Sequence, residues 1–358
     1  MNQRCVGGGY DFHVVNYCEI DPYAAKAYSQ IHGISEDYNL HDVRQVNTLL
    51  MDNVNLVTYG FPCQDISIAG KQRGFKDNDG NLTRSGLFFQ GLRILTELQP
   101  EYAIAENVKA LTGKKFTAEF ETVLTSLDKA GYNNYWKVLN AKDFGIPQNR
   151  ERVFIVSIRK DIDNSTFTFP EGRPLTLRVK DLLEPVVDEK YYINNERAES
   201  LIRQILAKTD IGGGIAVVDS TINTPKVKEV SNCIKARYDA GIENQKSVGT
   251  AVIEPKIKRL GNLYDENAGG ARAGNTYDPD GLAPALQTAQ GGNRQPLMYE
   301  DYRIRKLTPR ECFRLMGFTD AEFDRIQGIS NTQLYKMAGN SIVVDVLEAI
   351  FRNLFKKE

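Results

Sequence analysis

The chain has 358 residues, 41% hydrophobic and 25% charged, with a formal net charge of −1. That length accommodates two domains with separate cores, while near-neutrality excludes a general electrostatic pull on nucleic acid and leaves any such contact to one local surface. No run of about 18 apolar residues occurs, which excludes a membrane span, and the N-terminus has no apolar leader segment, so a cytoplasmic, soluble protein is expected.

In chain order, residues 13–20 are the first apolar run of buried-strand length. Asp21-Pro22 follows as a helix start, the carboxylate capping and the proline in the first turn, so a helix is expected over 23–31. A second strand over 54–59 leads into Gly60-Phe61-Pro62-Cys63. Then come a helix over 85–98, a strand over 102–105, a helix over 116–130 stopped by Gly131, and strands over 135–139 and 153–158. This alternation argues an α/β fold with a doubly wound, mainly parallel sheet. After Arg159, Pro170, Pro174 and Pro185 punctuate the chain, and a Gly-rich, helix-poor stretch over 212–292 predicts a second domain. Thr308-Pro309-Arg310-Glu311 is a capping box running toward Gly317, and a last apolar helix over 341–355 returns to the first domain. The expected division is 1–164, 165–304 and 305–358.

Cys5, Cys18, Cys63, Cys233 and Cys312 are odd in number and form no Cys-x-x-Cys pair, which fits a reducing compartment. His13, His32 and His41 lack a ligand-like spacing with carboxylates, so no metal is expected. Cys63 follows a strand, at the end where open α/β sheets bind ligands. A lone cysteine is nevertheless more often a small buried apolar residue than a nucleophile, and position alone leaves both readings open. Glu106 has two readings, an exposed strand-end carboxylate or a proton donor. Arg150 and Arg152 are either surface ion pairs or a fork of donors for a carbonyl and a phosphate.

The neighbours of these residues narrow the choice. Gly60-Phe61-Pro62-Cys63-Gln64 resembles the Pro-Cys-Gln catalytic loop of the DNA cytosine-5 methyltransferases. The run Asn81-Leu82-Thr83-Arg84-Ser85-Gly86-Leu87-Phe88 resembles the family's next block. Ala105-Glu106-Asn107-Val108 is similar to its Glu-Asn-Val block, and Gln148-Asn149-Arg150-Glu151-Arg152 to its Gln-x-Arg-x-Arg block. Residues 305–318 resemble the segment that packs the target-recognition domain, and Ala338-Gly339-Asn340-Ser341-Ile342 the late Gly-Asn-Ser block. All six stand in the family's order.

The resemblance implies a Rossmann-like methyltransferase core with a smaller, irregular, β-rich target-recognition domain. It implies S-adenosyl-L-methionine as methyl donor, double-stranded DNA as partner, a monomer, and a bacterial or phage setting with a restriction endonuclease encoded nearby. Cys63 would add to carbon 6 of cytosine, making carbon 5 enamine-like. Glu106 would donate a proton or hydrogen bond to N3 as charge develops there, with Arg150 and Arg152 beside the base. Gln64 and Ser67 would flank a loop closing on DNA, with Asn107 and Gln148 in the same substrate-facing set. For the donor, Glu19 would hold the ribose hydroxyls, Ile20 would lie beneath the adenine, and Asp42 with Val43 would meet its edge. Pro62, Leu87, Asn340 and Ser341 would complete that pocket. The base would be swung out of the duplex to reach these groups.

One family element has no counterpart. A strand running into Phe-x-Gly-x-Gly normally stands about twenty residues before the acid matched by Glu19. Gly7-Gly8-Gly9 is too close to Glu19 and follows no apolar strand, so the first strand and its helix are expected to be missing, through a late start, a truncated gene or a compensated form. Two other functions stay open: a remnant that binds DNA without methylating it, and an RNA cytosine methyltransferase, for which residues 165–304 make a large recognition lobe.

Overall fold

The computed structural model describes residues 12–62, 75, 83–193, 196–209, 211, 215–219, 225–236, 238, 249–255, 276–277, 297–298 and 302–356. The first helix, α1 (Pro22–His32), starts where the sequence places it. Asp21 accepts hydrogen bonds from the amides of Tyr23 and Ala24, Pro22 stands in the first turn, and Gly33 ends the helix in the left-handed region at φ 65°.

The central sheet holds β1 (Leu56–Gly60), β2 (Tyr102–Val108), β3 (Tyr132–Asn140) and β5 (Glu151–Arg159), in the order β1-β2-β5-β3. Helices α2 (Phe88–Leu98) and α3 (Thr117–Lys129) lie in sequence between these strands. Strand β1 pairs with β2 in parallel, but β5 runs antiparallel to both β2 and β3. Strands β1, β2 and β3 therefore share one direction and β5 alone of these four is reversed, so the sheet is mixed while remaining mainly parallel in strand direction. Between Asn140 and Glu151 stand only a short 3-10 turn and the two-residue strand β4 (Gln148–Asn149), too little chain for a crossover connection, so β5 returns antiparallel.

Alternation along β2 and β5 sorts the core onto two faces. Ala103, Ala105, Val153 and Ile155 face Leu95 of α2 and Val123 and Leu127 of α3. Ile104, Phe154, Val156 and Ile158 belong to the opposite cluster, with Val346, Leu347, Ile350 and Phe351 of the last helix. That helix, α8 (Val344–Leu354), closes the second face as expected of an apolar segment returning to the first domain.

The middle of the chain adds β6 (Tyr192–Ile193), α4 (Glu196–Leu206), β7 (Ala216–Asp219), β8 (Lys226–Val227), β9 (Ser231–Asn232), β10 (Thr250–Pro255), the short parallel pair β11 (Thr276–Tyr277) and β12 (Leu297–Met298), and β13 (Tyr302–Lys306). Five of these form a separate antiparallel sheet in the order β6-β13-β10-β7-β8. This middle segment is joined to the central layer by β9, which pairs with β4.

The C-terminal segment contributes α5 (Pro309–Arg314), α6 (Asp320–Asp324) and α7 (Asn331–Asn340) before α8. The capping box at Thr308 and Glu311 forms as read from the sequence. Glu311 also receives both terminal nitrogens of Arg305, at 2.8 and 2.9 Å, and the amide of Glu184 at 2.8 Å. Among the described residues no helix is long and apolar enough to cross a membrane.

Residues 13–20 do not make a strand. Among the described residues their ladder is the single bridge Tyr17 to Asn39, and one bridge without a continuing partner does not make a strand.

Candidate active site

Strands β1 and β2 end side by side, with Gly60 in register with Glu106, so Glu106 stands inside β2 rather than after it. The chain leaving β1 is then clamped twice. Asn107 Nδ2 donates to the carbonyl of Phe61 at 3.0 Å, and Ser85 Oγ donates to that of Pro62 at 2.6 Å. Both clamps fix the direction in which the backbone enters the loop carrying Cys63. Cys63, Gln64 and Ser67 themselves lie outside the described residues.

Beside this exit Arg152 Nε is 3.1 Å from Glu106 Oε1. Burial pushes the Glu106 carboxyl above the ordinary carboxylate range, with Arg152 first and Arg150 second opposing that rise. A carboxyl so placed keeps a proton to higher pH than an exposed one. Arg152 Nη1 donates to the carbonyl of Glu151 at 2.9 Å, while among the described residues Nη2 reaches only the sulfur of Cys233, at 3.8 Å. Its outer nitrogen is the loosest donor of the fork.

Arg150 is placed differently. It is 3% exposed, and its terminal nitrogens donate to the carbonyls of Ile234, Gly339 and Ser341 and to Cys233 sulfur. Gln148 is fully buried, donating to the carbonyl of Leu315 at 2.6 Å and accepting from the amide of Ile234 at 3.0 Å. The sequence reading put Arg150 at the base and Gln148 toward DNA. In the structure both also tie β4 and β5 to the residues near 234 and to the C-terminal segment, Gln148 through backbone groups and Arg150 through its terminal nitrogens, while Arg150 lines the same cavity as Glu106 and Arg152. Asn107 likewise turns inward, onto Phe61.

One cavity of about 1890 Å³ is lined by every described candidate except Gln148. It gathers Glu19, Ile20, Asp42, Val43, Pro62 and Leu87 with Glu106, Asn107, Arg150, Arg152, Asn340 and Ser341. Such a volume exceeds an ordinary ligand pocket, because the space continues along residues 54–60 between β1 and the extended segment 12–18. Among the described residues β1 has β2 as its only ladder partner, so its other edge faces this space.

The far wall of the cavity is held by Asn39, which sequence reasoning passed over. Its side chain accepts from the amides of Glu19 and His41 and donates to the carbonyl of Glu19, drawing Glu19 and Asp42 to one rim. Glu19 accepts from the amide of Asp21 at 2.8 Å. Ile20 is 67% exposed, an apolar side chain presented at the cavity with nothing packed over it. Asp42 caps a short turn and pairs with Arg44 at 2.6 Å, which together with its hydrogen bonds draws its carboxyl below the usual range. An acid, an exposed apolar side chain and a second acid along one rim fit a nucleoside: hydroxyl acceptors flank a surface for a ring. Among the described residues no group of three or more His, Cys, Asp or Glu gathers as metal ligands. Cys18 is exposed, Cys233 half-buried and Cys312 buried, all as free thiols.

Comparison with known proteins adds four likenesses. The family model of the C-5 cytosine-specific DNA methylases matches residues 6–356. The type II methyltransferase M2.ScrFI of Lactococcus lactis subsp. cremoris is 37% identical over 321 residues, covering 89% of this chain and 72% of that protein. The orphan methyltransferase M.SPRI of Bacillus phage SPR is 31% identical over 428 residues, covering 98% and 93%. In structure, the chain resembles the Entamoeba histolytica methyltransferase EhMeth with a TM-score of 0.63, at 19% identity over 96% of this chain and 90% of that one.

Proposed function

The chain belongs to the C-5 cytosine-specific DNA methylase family, and from that premise we propose that it methylates carbon 5 of a cytosine swung out of duplex DNA, through a covalent adduct on Cys63. The observation that carries this reading is the Glu106–Arg152 pair, half-buried at the ends of β1 and β2 beside the clamped exit that leads into Cys63.

The chain's own residues divide the work. The Cys63 thiolate adds to carbon 6 of the base, and the electron pair displaced from the ring is drawn toward N3. Glu106, whose carboxyl burial shifts toward the protonated form, donates a proton there, so carbon 5 gains enamine character without carrying a full negative charge. Arg152 offers its loosely held Nη2 to the carbonyl oxygen of the base. Arg150 holds the surrounding backbone in place beside Glu106 and Arg152. Glu19, Ile20 and Asp42 would hold S-adenosyl-L-methionine, with Val43, Leu87, Asn340 and Ser341 around it; when bound, it supplies an electrophilic methyl group. Loss of the carbon 5 proton to a base then expels the Cys63 thiolate, N3 returns its proton to the Glu106 carboxylate, and the aromatic ring is restored.

Incubation with S-adenosyl-L-methionine carrying a labelled methyl group and duplex DNA should give label on cytosine. Cys63→Ala should give none, and bisulfite sequencing of the product should reveal the target site. A folded chain that binds DNA and donor yet incorporates no label overturns the proposal. A second reading, DNA recognition without methyl transfer, is favoured by the cavity running on along the open edge of β1. Calorimetry separates the two, since that reading requires specific DNA binding with no measurable uptake of S-adenosyl-L-methionine. In the first reading, duplex DNA should outcompete transfer RNA as substrate.

A further inference from the structure

Among the described residues, one side chain of the recognition lobe enters the space between the two arginines of the site. Cys233 directly follows β9, whose pairing with β4 fixes its height against the central sheet. Its sulfur accepts from Arg150 Nη1 at 3.3 Å and from Arg152 Nη2 at 3.8 Å, and its thiol donates to the carbonyl of Ile234 at 3.6 Å. The loop cannot easily move. Arg150 grips Ile234 from one side, and Gly339 presses on it from the other. A Cβ on Gly339 would stand 2.2 Å from the amide nitrogen of Ala236, so only glycine permits this approach.

The sulfur thus bridges two cations that would otherwise face each other directly. Arg150 is buried and bound on several sides, so Arg152 is the partner free to shift. We propose that Cys233 is a positioning residue: it holds the outer nitrogen of Arg152 so that Nε stays on Glu106, and releases that nitrogen when the carbonyl oxygen of the base arrives. A polarisable sulfur suits this role, since it is a weaker acceptor than oxygen and yields to a carbonyl. The seating of the recognition lobe on β4 would then govern the Glu106–Arg152 pair through one atom. This inference rests on the methyltransferase reading for its catalytic consequence, but not for its electrostatic one.

The test therefore reads both. The charged groups facing the Glu106 carboxyl are Arg152 and Arg150, with the Cys233 thiol bridging them. Full-length chain with carbon-13-labelled glutamate carboxyls is titrated by NMR, Glu106 being assigned by its loss in Glu106→Gln. In Cys233→Ala, Arg152 drifts from Glu106 and the carboxyl should titrate at higher pH than in wild type; Cys233→Ser should fall between. The alkaline limb of the rate profile should move up with it, while kcat falls roughly fivefold and KM for DNA holds. An unchanged Glu106 midpoint in folded Cys233→Ala overturns the proposal, as does an unchanged midpoint in Cys233→Ser should the alanine variant not fold. A shifted midpoint in a chain whose wild type transfers no methyl group upholds the positioning role and removes the methyltransferase reading instead.

Discussion

Two carboxylate–arginine pairs among the described residues, Glu311–Arg305 and the half-buried Glu106–Arg152, resemble each other in composition and differ in how they are finished. At Glu311 every lone pair in reach is used: Arg305 binds it through two nitrogens, and the amides of Thr308 and Glu184 complete it. At Glu106 a single contact to Arg152 Nε stands against burial, and the carboxyl is pushed above its ordinary range. The contrast separates structure from chemistry. A saturated ion pair holds segments together, whereas an unsaturated one keeps capacity for a group that has yet to arrive.

Breaking the saturated pair should have the largest effect. Glu311→Ala leaves Arg305 buried without its main counter-charge and strips the caps of α5, and denaturant melts should show a loss of about 3–5 kcal/mol. Whatever fraction remains folded should keep its single-turnover methyl-transfer rate. Breaking the unsaturated pair should do the reverse. Glu106→Gln should slow methyl transfer by about a hundredfold or more while changing stability by less than about 1 kcal/mol. Equal effects of both substitutions on both measurements would erase the distinction.

Gln148 offers an intermediate case, a neutral side chain as saturated as Glu311. Gln148→Ala orphans the Ile234 amide and the Leu315 carbonyl, and should cost about 2 kcal/mol in a denaturant melt while weakening specific DNA binding, because the lobe loses its seat. The smallest effect concerns pH. A carboxyl raised above its unfolded value contributes stability that is fully present below that value and is lost as pH rises through the folded one. The stability of wild type relative to Glu106→Gln should therefore fall as pH increases from the ordinary glutamate range, about 4.3, upward, and be flat below it.

Much of this arrangement could be read before any coordinates. The Asp21-Pro22 helix start, the Thr308 capping box and the strand leading into Cys63 are local signals, and local chemistry decides them. The antiparallel return of β5 was not legible from apolar runs, which carry no direction; the short link after Asn140 was the available clue. The site divides along the same line. Residue types marked Glu106 and Arg152, but the burial of Arg150 and Gln148 depends on partners near 234, 315 and 340, far along the chain. Cys233 had no signal at all, sitting in a Gly-rich stretch and acquiring meaning only where β9 meets β4.

The seam at Gln148 and Arg150 has an evolutionary corollary. These two side chains grip the recognition lobe chiefly by its backbone, through the amide and carbonyl of Ile234, and Gly339 meets backbone as well. Such a joint is largely blind to the identity of the residues it holds. Divergent or exchanged middle segments could be seated on the same socket provided they offer a short strand at this height, which confines heritable constraint to the socket itself.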